Sequence, residues 1–344
     1  MNSPSTPLAH PNQTVTDWLI LGAGISGLVL GSLLLERGDS IQLLEKSRGI
    51  GGRLATRRVP LPDDSSRIAQ FDHGLPVVEL NQPEAVRILE KLLGESTLNS
   101  WSWPQALTWG SSALRVLQPL PGMNALAKAF PASSQVHRNQ KVTRVQYDPH
   151  TQLWKATTQE QVEFSARRLV STLPIPQLKE ILRNSPIQLE DPLPQELHEP
   201  EYISSINVLV IPKEPPRLRF TRWPSPSITL LLENQWKGIS ESVPCITLSI
   251  SPERSQELFE QSDEAITQAI LSEIQEELEL EPMVSQVHRW RYAQPLSSLD
   301  EPFFTMSFHD HAYLHLCGDY FGPSRISPIE RAILSAHALF IMVS

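Results

Sequence analysis

Three glycines at the spacing G-x-G-x-x-G, Gly22, Gly24 and Gly27, separate the apolar run Trp18–Leu21 from a second one ending at Leu35. A third apolar stretch, Ile41–Leu44, leads into Glu45, 23 residues after Gly22. The order predicts strand, tight turn, helix, strand and acid, the opening crossover of a dinucleotide-binding fold. In that unit the first glycine makes the turn and the second lets a pyrophosphate approach the backbone. The third lets the helix pack on the strand. The helix N-terminus then presents unpaired N–H groups and its positive dipole end to phosphates. Glu45 occupies the place expected for a ribose-binding acid.

A membrane span competes with this reading. Trp18 to Leu35 is eighteen residues without a charge, and Gly27 with Gly31 makes the G-x-x-x-G pair of helix dimers. Four glycines within ten residues make a poor uninterrupted helix. Asp17 and Glu36 bracket the run with no basic cluster beside it. The strand and acid after Gly38 complete a βαβ unit that a membrane helix does not require. The dinucleotide reading is therefore preferred.

The 344 residues suffice for one large α/β domain or two interleaved ones. A net charge of -9, with no long Lys/Arg run, argues against nucleic-acid or anionic-membrane docking. The two cysteines, Cys245 and Cys317, form neither a metal spacing nor a disulfide framework. That usage fits a reducing compartment, and a cytoplasmic location is expected. Residues 1–14 read as a loose polar tail.

After Glu45, the segment Lys46–Arg58 combines Gly49, Gly51 and Gly52 with Arg48, Arg53, Arg57 and Arg58. It reads as a basic loop, either solvated or closing on phosphates. Helices are expected at Glu84–Leu93, from Pro121 to Phe130, at Gln177–Leu182, Ser251–Gln261, Asp263–Leu278 and Pro328–Met342. Strands are expected at Val136–Tyr147, Leu153–Thr158 and Phe164–Thr172, a meander returning to the main sheet. After Pro176, strand candidates at Ser205–Ile211, Ser227–Leu232 and Ile246–Ile250 lack intervening helices, which implies an antiparallel sheet. Further strands are expected at Val284–Tyr292 and Tyr313–Cys317. Trp101, Trp103 and Trp109 would either line a flat ligand's pocket or pack in a core.

The motifs Gly22–Gly27, Glu45 to Arg53 with its Gly51-Gly52-Arg53 loop, Phe71-Asp72-His73-Gly74, Gly122-Met123, His288–Ala293 and Gly318-Asp319 occur in one order. Together they resemble renalase-like FAD-dependent oxidoreductases of the flavin amine oxidase superfamily. The resemblance runs from about Asp17 to Phe340. It implies an α/β architecture: a Rossmann-type FAD-binding domain of p-hydroxybenzoate hydroxylase type with an inserted antiparallel-sheet substrate domain. The corresponding division assigns 15–80, 112–175 and 293–344 to the FAD domain. Residues 81–111 and 176–292 form the substrate domain.

The same resemblance implies non-covalent FAD held by Gly22, Ala23, Gly24, Ile25, Ser26 and Gly27 at the pyrophosphate. Glu45 and Lys46 fall at the adenosine ribose, Gly52 and Arg53 near the phosphates, Val142 near the adenine, and Gly318 and Asp319 near the ribitol. It implies hydride transfer from a dihydronicotinamide, an isomeric NAD(P)H, to flavin N5, with O2 reoxidising the flavin to H2O2. An amine oxidase, a desaturase-like dehydrogenase and a flavin-binding protein without turnover are the alternatives. Two departures stand out. Gly74 is followed by Leu75-Pro76-Val77-Val78 where the family commonly carries Ala-Gln-Tyr-Phe, and Ser335-Ala336 replaces a Ser-Gly pair.

His73, Trp290 and Tyr292 are the candidate walls of the substrate slot. Trp290 and Tyr292 lie two apart on a strand and share a face, either slot or core. His73 is either a slot wall or a structural imidazole. His309, Asp310, His311 and His315 superficially resemble a metal cluster, but the run leads straight into Gly318-Asp319, so no metal is assigned.

Overall fold

The computed structural model describes residues 14–102, 113–187, 195–198, 200–214, 225–274, 278, 280–308 and 312–344. In chain order the first crossover is β1 (Thr16–Leu21), α1 (Ile25–Arg37) and β2 (Ile41–Glu45). There follow β3 (Thr56–Pro60), β4 (Ile68–Asp72), β5 (Val78–Leu80), α2 (Pro83–Leu93), α3 (Glu95–Ser100), β6 (Arg115–Leu117) and α4 (Asn124–Ala129). Next come β7 (Val136–Arg138), β8 (Val142–Asp148), β9 (Leu153–Thr158), β10 (Glu163–Ser171), α5 (Ile175–Arg183) and α6 (Gln195–His198). The chain continues with β11 (Tyr202–Pro212), β12 (Ile228–Glu233), β13 (Ile246–Ile250), α7 (Pro252–Leu258), α8 (Asp263–Ile274) and β14 (Pro282–Pro295). It closes with β15 (Phe304–Phe308), β16 (Ala312–Leu316) and α9 (Pro328–Met342).

The first sheet has the order β15-β16-β10-β1-β2-β7, with β8 and β9 attached through β10. Its central strands β16, β10, β1, β2 and β7 are parallel. A parallel centre is covered on both faces, and the alternation along β1 shows how. Trp18 and Ile20 point to a core shared with α1, α2 and α9, whereas Leu19 and Leu21 point to a core shared with α5 and the β8–β9 meander. Helix α1 ends at Gly38, φ +98°, whose N–H caps the Leu34 and Leu35 carbonyls.

The second sheet, β12-β13-β11-β14, is antiparallel throughout. On β11, Ile206, Val208 and Val210 pack against α8 and Phe259, while Leu209 and Ile211 pack against Val59, Ala69 and Phe71 of the β3–β4 hairpin. The hairpin thus ties the crossover domain to the underside of the second sheet.

The α/β class, the meander and the antiparallel sheet match the sequence expectations. Two local expectations are corrected. Val136–Tyr147 is two strands, because Asn139 adopts φ 57° and turns the chain between β7, paired to β2, and β8, paired to β9. Asn tolerates that left-handed conformation better than most residues. Residues 56–60, read as part of a basic loop, form β3, whose only buried side chain is Val59. With one apolar side chain buried among polar residues and a proline, the strand carries almost no apolar period. Among the described residues, no helix is long and apolar enough to cross a membrane. The tail residues 1–13, Trp103, Trp109 and His309 to His311 lie outside the described residues.

Candidate active site

The turn after β1 uses its three glycines differently. Gly22 has φ +99°, and a Cβ there would lie 2.7 Å from Thr172 Oγ1. A Cβ on Gly27 would meet the Gly22 carbonyl oxygen at 2.2 Å, so glycine alone lets α1 sit this close to β1. Gly24 is unlike both. Nothing lies within 4 Å of its missing Cβ, which would project into an open cradle. Gly24 is also the N-cap of α1, with no side-chain cap bond and no acid in the first turn. The free N–H groups and positive end of the helix are left to an anion.

Glu45, buried at the tip of β2, braces this turn. One carboxylate oxygen accepts the Ala23 N–H at 3.2 Å and the other accepts the Ser47 N–H at 2.8 Å. A carboxylate has four acceptor sites, so two remain for a ligand. The Gly51 N–H donates to the Ala23 carbonyl at 2.8 Å, which draws the Gly51-Gly52-Arg53 loop against the turn. Arg53 then reaches across the molecule. Its guanidinium donates to the Ala293 carbonyl at 2.9 Å and to Asp319 Oδ2 at 2.6 Å, joining the loop, β14 and the strand end before α9.

A cavity of about 1550 Å³ runs from this turn to the second sheet. Typical small-molecule pockets hold about 300–1,000 Å³. The larger space admits a dinucleotide and a second molecule. At its far end His73, His288 and Trp290 form an aromatic wall. The His73 and Trp290 rings are stacked, 5.6 Å between centroids and 20° apart. His288 meets His73 edge-on at 4.2 Å and Trp290 at 4.6 Å. Burial, then the neighbouring His288 and Arg57, pushes His73 down to about 3. Burial and Arg57 push His288 down to about 4. Both imidazoles are therefore neutral at pH 7.

The wall is held by the second sheet. Trp290 Nε1 donates to the His73 carbonyl at 2.7 Å, and Asn207 Nδ2 of β11 donates to the same oxygen at 3.0 Å. Strand alternation puts Gln286, His288, Trp290 and Tyr292 on one face of β14. Its other face carries Arg289, paired with Asp263, and Arg291, stacked over Phe259. The Trp290–Tyr292 face is thus the cavity face.

Behind His73 sits a buried polar hub. The Asp72 carboxylate accepts from Lys237 Nζ at 2.5 Å, Thr56 Oγ1 at 2.5 Å and the Met123 N–H at 2.9 Å. The side chains of Lys237 and Asp72 are both fully buried. Burial lowers the Lys237 pKa, and the Asp72 charge opposes that shift. The ammonium also donates to the Pro76 carbonyl. The backbone of Asp72 is matched as well, its N–H by Asn234 at 3.2 Å and its carbonyl by Thr247 at 3.0 Å.

The structure therefore brings Gly22, Gly24, Ile25, Glu45, Lys46, Gly52, Arg53 and Val142 to one cavity with His73, Trp290 and Tyr292. It does not bring Ala23, Ser26, Gly27, Gly318 or Asp319 to the cavity lining. Ser26 Oγ instead donates to the Ala332 carbonyl of α9 at 2.9 Å, and the Gly318 N–H donates to Ser335 Oγ at 3.0 Å. These residues fix the walls from behind. His315, the described member of the histidine run, lies with Nδ1 2.9 Å from Thr305 Oγ1 and its ring 6.1 Å from Trp18. Trp101 packs against the core of the first sheet. Lys237 carries no sequence signal, since a lone lysine in a turn is read as solvated. Arg57 was visible only as a member of a basic run.

The residues fit FAD on the structure's own terms, since the Gly24 cradle, the uncapped α1 and the buried acid at β2 form a continuous dinucleotide surface. The profile of the family described as flavin containing amine oxidoreductase matches residues 95–338. That of the NAD(P)-binding Rossmann-like domain matches residues 20–92. A candidate L-amino-acid oxidase of Bacillus subtilis, YobN, is 50% identical over 55 residues, 16% of this chain and 11% of that protein. UDP-galactopyranose mutase of Mycoplasma pneumoniae is 46% identical over 43 residues, 12% of this chain and 11% of that protein. The chain thus matches only about a tenth of these relatives' lengths. Among solved structures, cyclohexylamine oxidase from Brevibacterium oxydans superposes with a TM-score of 0.60 at 12% identity, covering 96% of this chain and 100% of that one. Putrescine oxidase bound to putrescine superposes with a TM-score of 0.58 at 13% identity, covering 96% and 99%. At such identities the likeness is one of fold.

Proposed function

Since this chain belongs to the family of flavin-containing amine oxidoreductases and is an FAD-dependent oxidoreductase, we propose that it is an oxidase of renalase type, acting on a dihydronicotinamide. The observation that carries the reading is the neutral aromatic wall at the far end of the cavity, His73 stacked with Trp290 and His288 edge-on to both. FAD supplies hydride acceptance and its own reoxidation by O2 to give H2O2. In this reading Gly22, Gly24, Ile25 and Gly52 receive the pyrophosphate, Glu45 and Lys46 the ribose, and Val142 the adenine. Arg53, braced by Asp319, holds the loop near the phosphates.

The substrate ring lies flat along Trp290 and His73, with Tyr292 closing the slot. Its own ring nitrogen lone pair drives hydride departure, so the wall needs no strong base. Imidazoles with pKa values near 3 and 4 are poor bases at pH 7 and suit that task. Orientation and exclusion of water are what the side chains contribute. Leu75, Pro76 and Val77, the residues that depart from the family pattern, line the cavity and replace polar groups with apolar surface. A putrescine-like amine would need a cage that neutralises or delocalises its charge.

The test is anaerobic mixing of the yellow holoprotein with isomeric reduced nicotinamides and with a panel of amines. Bleaching by a dihydronicotinamide, followed by peroxide formation on admitting air, is expected. If an amine bleaches the flavin and no dihydronicotinamide does, the renalase-type reading is wrong.

A further inference from the structure

The aromatic wall carries a charge that hydride transfer does not use. Arg57 stands on β3 and lines the cavity with His73, His288 and Trp290. Its Nε donates to Gln286 Oε1 at 3.1 Å, two residues before His288 on the cavity face of β14. Among the described residues no carboxylate forms an ion pair with Arg57, in contrast to Arg53, Arg115, Arg254 and Arg289. Its field reaches both imidazoles and helps hold them neutral. A second observation lies beside it. His73 is buried and its Nδ1 has no hydrogen-bond partner. A buried ring nitrogen is ordinarily paired, and His73 is one of the residues lining the cavity.

We propose that Arg57 is a specificity-determining residue, forming with His73 Nδ1 an anion subsite at the end of the slot, so that the substrate carries a phosphate or carboxylate. A guanidinium matches either group bidentately, and a neutral imidazole adds a single N–H. The same fixed cation repels a protonated amine, which makes the slot selective by charge as well as by shape. The inference shares its slot with the proposed dihydronicotinamide oxidation and rests on that reading only for the identity of the reacting ring.

The test has a binding arm and a kinetic arm. FAD-saturated protein is titrated calorimetrically with inorganic pyrophosphate, using wild type, Arg57→Gln and the remote surface variant Arg87→Gln. Saturable binding is expected in wild type and in Arg87→Gln, and at least tenfold weaker binding in Arg57→Gln. Absence of binding to wild type, or equal binding by Arg57→Gln, overturns the proposal. In the kinetic arm, Arg57→Gln should raise KM at least tenfold for a dihydronicotinamide mononucleotide while leaving the uncharged N-methyl analogue within twofold. Equal loss on both substrates assigns Arg57 to structure and overturns the subsite. If neither compound is oxidised but Arg57→Gln still loses pyrophosphate, the subsite stands and the dihydronicotinamide reading fails. An L-amino acid that bleaches the wild-type flavin, with KM raised in Arg57→Gln, then identifies the anion as a carboxylate.

Discussion

Between Gly22 and Gly52 the cavity is shaped by backbone, and between His73 and Trp290 it is shaped by side chains. At the first end the decisive contacts are a missing Cβ on Gly24, a Gly27 packed on the Gly22 carbonyl and a carboxylate holding two N–H groups. Nearly all of these residues lie within one βαβ unit. At the second end the His73 carbonyl is shared by donors from β11 and β14, and Asp72 is gripped from β3, from the turn before α4 and by Lys237. The backbone end is built locally. The side-chain wall is assembled from distant segments.

The largest expected effect comes from breaking that assembly. Lys237→Ala leaves the Asp72 charge buried without its cation, and removing one partner of a buried pair costs about 3–5 kcal/mol. Chemical denaturation of the FAD-saturated protein measures it. A loss under about 1 kcal/mol, the range of an exposed pair, would show that the joint between hairpin and second sheet rests on apolar packing instead.

Two glycine variants sharpen the other side of the comparison. Gly27→Ala drives a methyl into a backbone oxygen that cannot turn away, and overpacking of this kind costs about 1–3 kcal/mol. Gly24→Ala meets no protein atom within 4 Å, and its φ of -75° suits alanine. Its stability should match wild type while FAD affinity falls. Denaturation and FAD titration on the two variants separate packing from cofactor approach. If Gly24→Ala binds FAD normally, the cradle is not where the pyrophosphate lies.

Acid should act mainly on the wall. His73 and His288 titrate near 3 and 4 when folded, below the ordinary value of 6.5. Between those values the unfolded chain binds protons that the folded one does not. Stability is therefore complete above pH 6.5 and falls as pH is lowered toward 4, by at most about 1.4 kcal/mol per pH unit for each proton. The partial opening of His288 to the cavity reduces its share. His315, lowered to about 4 by burial and Arg168, adds a similar slope from the first sheet. His288→Phe should flatten the melting temperature between pH 6.5 and 5 relative to wild type. An unchanged slope would leave the acid sensitivity to His73 and His315.

The unequal construction also explains what could be read from the chain. The grouping of Gly22, Gly24, Glu45 and Gly52 around one turn was legible because it depends on neighbours within 30 residues and on local backbone geometry. The alternation of β14 gave the shared face of Trp290 and Tyr292 but not which side of the sheet held the cavity. That was decided by Phe259 and Asp263, which occupy the opposite face through Arg291 and Arg289. Gly318 and Asp319 lie outside the cavity lining, with the Gly318 N–H donated to Ser335 and the Asp319 carboxylate bound by Arg53. Lys237 was unreadable, since its meaning depends wholly on Asp72, 165 residues earlier in the chain.

The smallest expected effect tests whether the wall is positioned redundantly. Trp290→Phe keeps an aromatic ring beside His73, removes the Nε1 donor and gives up part of the ring surface. The His73 carbonyl has two lone pairs and retains the Asn207 amide, itself fixed by Ser249 Oγ on Asn207 Oδ1 at 2.7 Å. No buried acceptor is orphaned, so losing the donor costs one ordinary hydrogen bond, about 0.5–1.5 kcal/mol. Turnover should fall less than tenfold, with KM changing more than kcat because ring placement loosens before chemistry is touched. Trp290→Phe in an Asn207→Ala background removes both donors and should cost more than the sum of the single changes. Strict additivity would mean that the two donors act independently, and that the wall is held by the ring contacts with His73 and His288 rather than by the shared carbonyl.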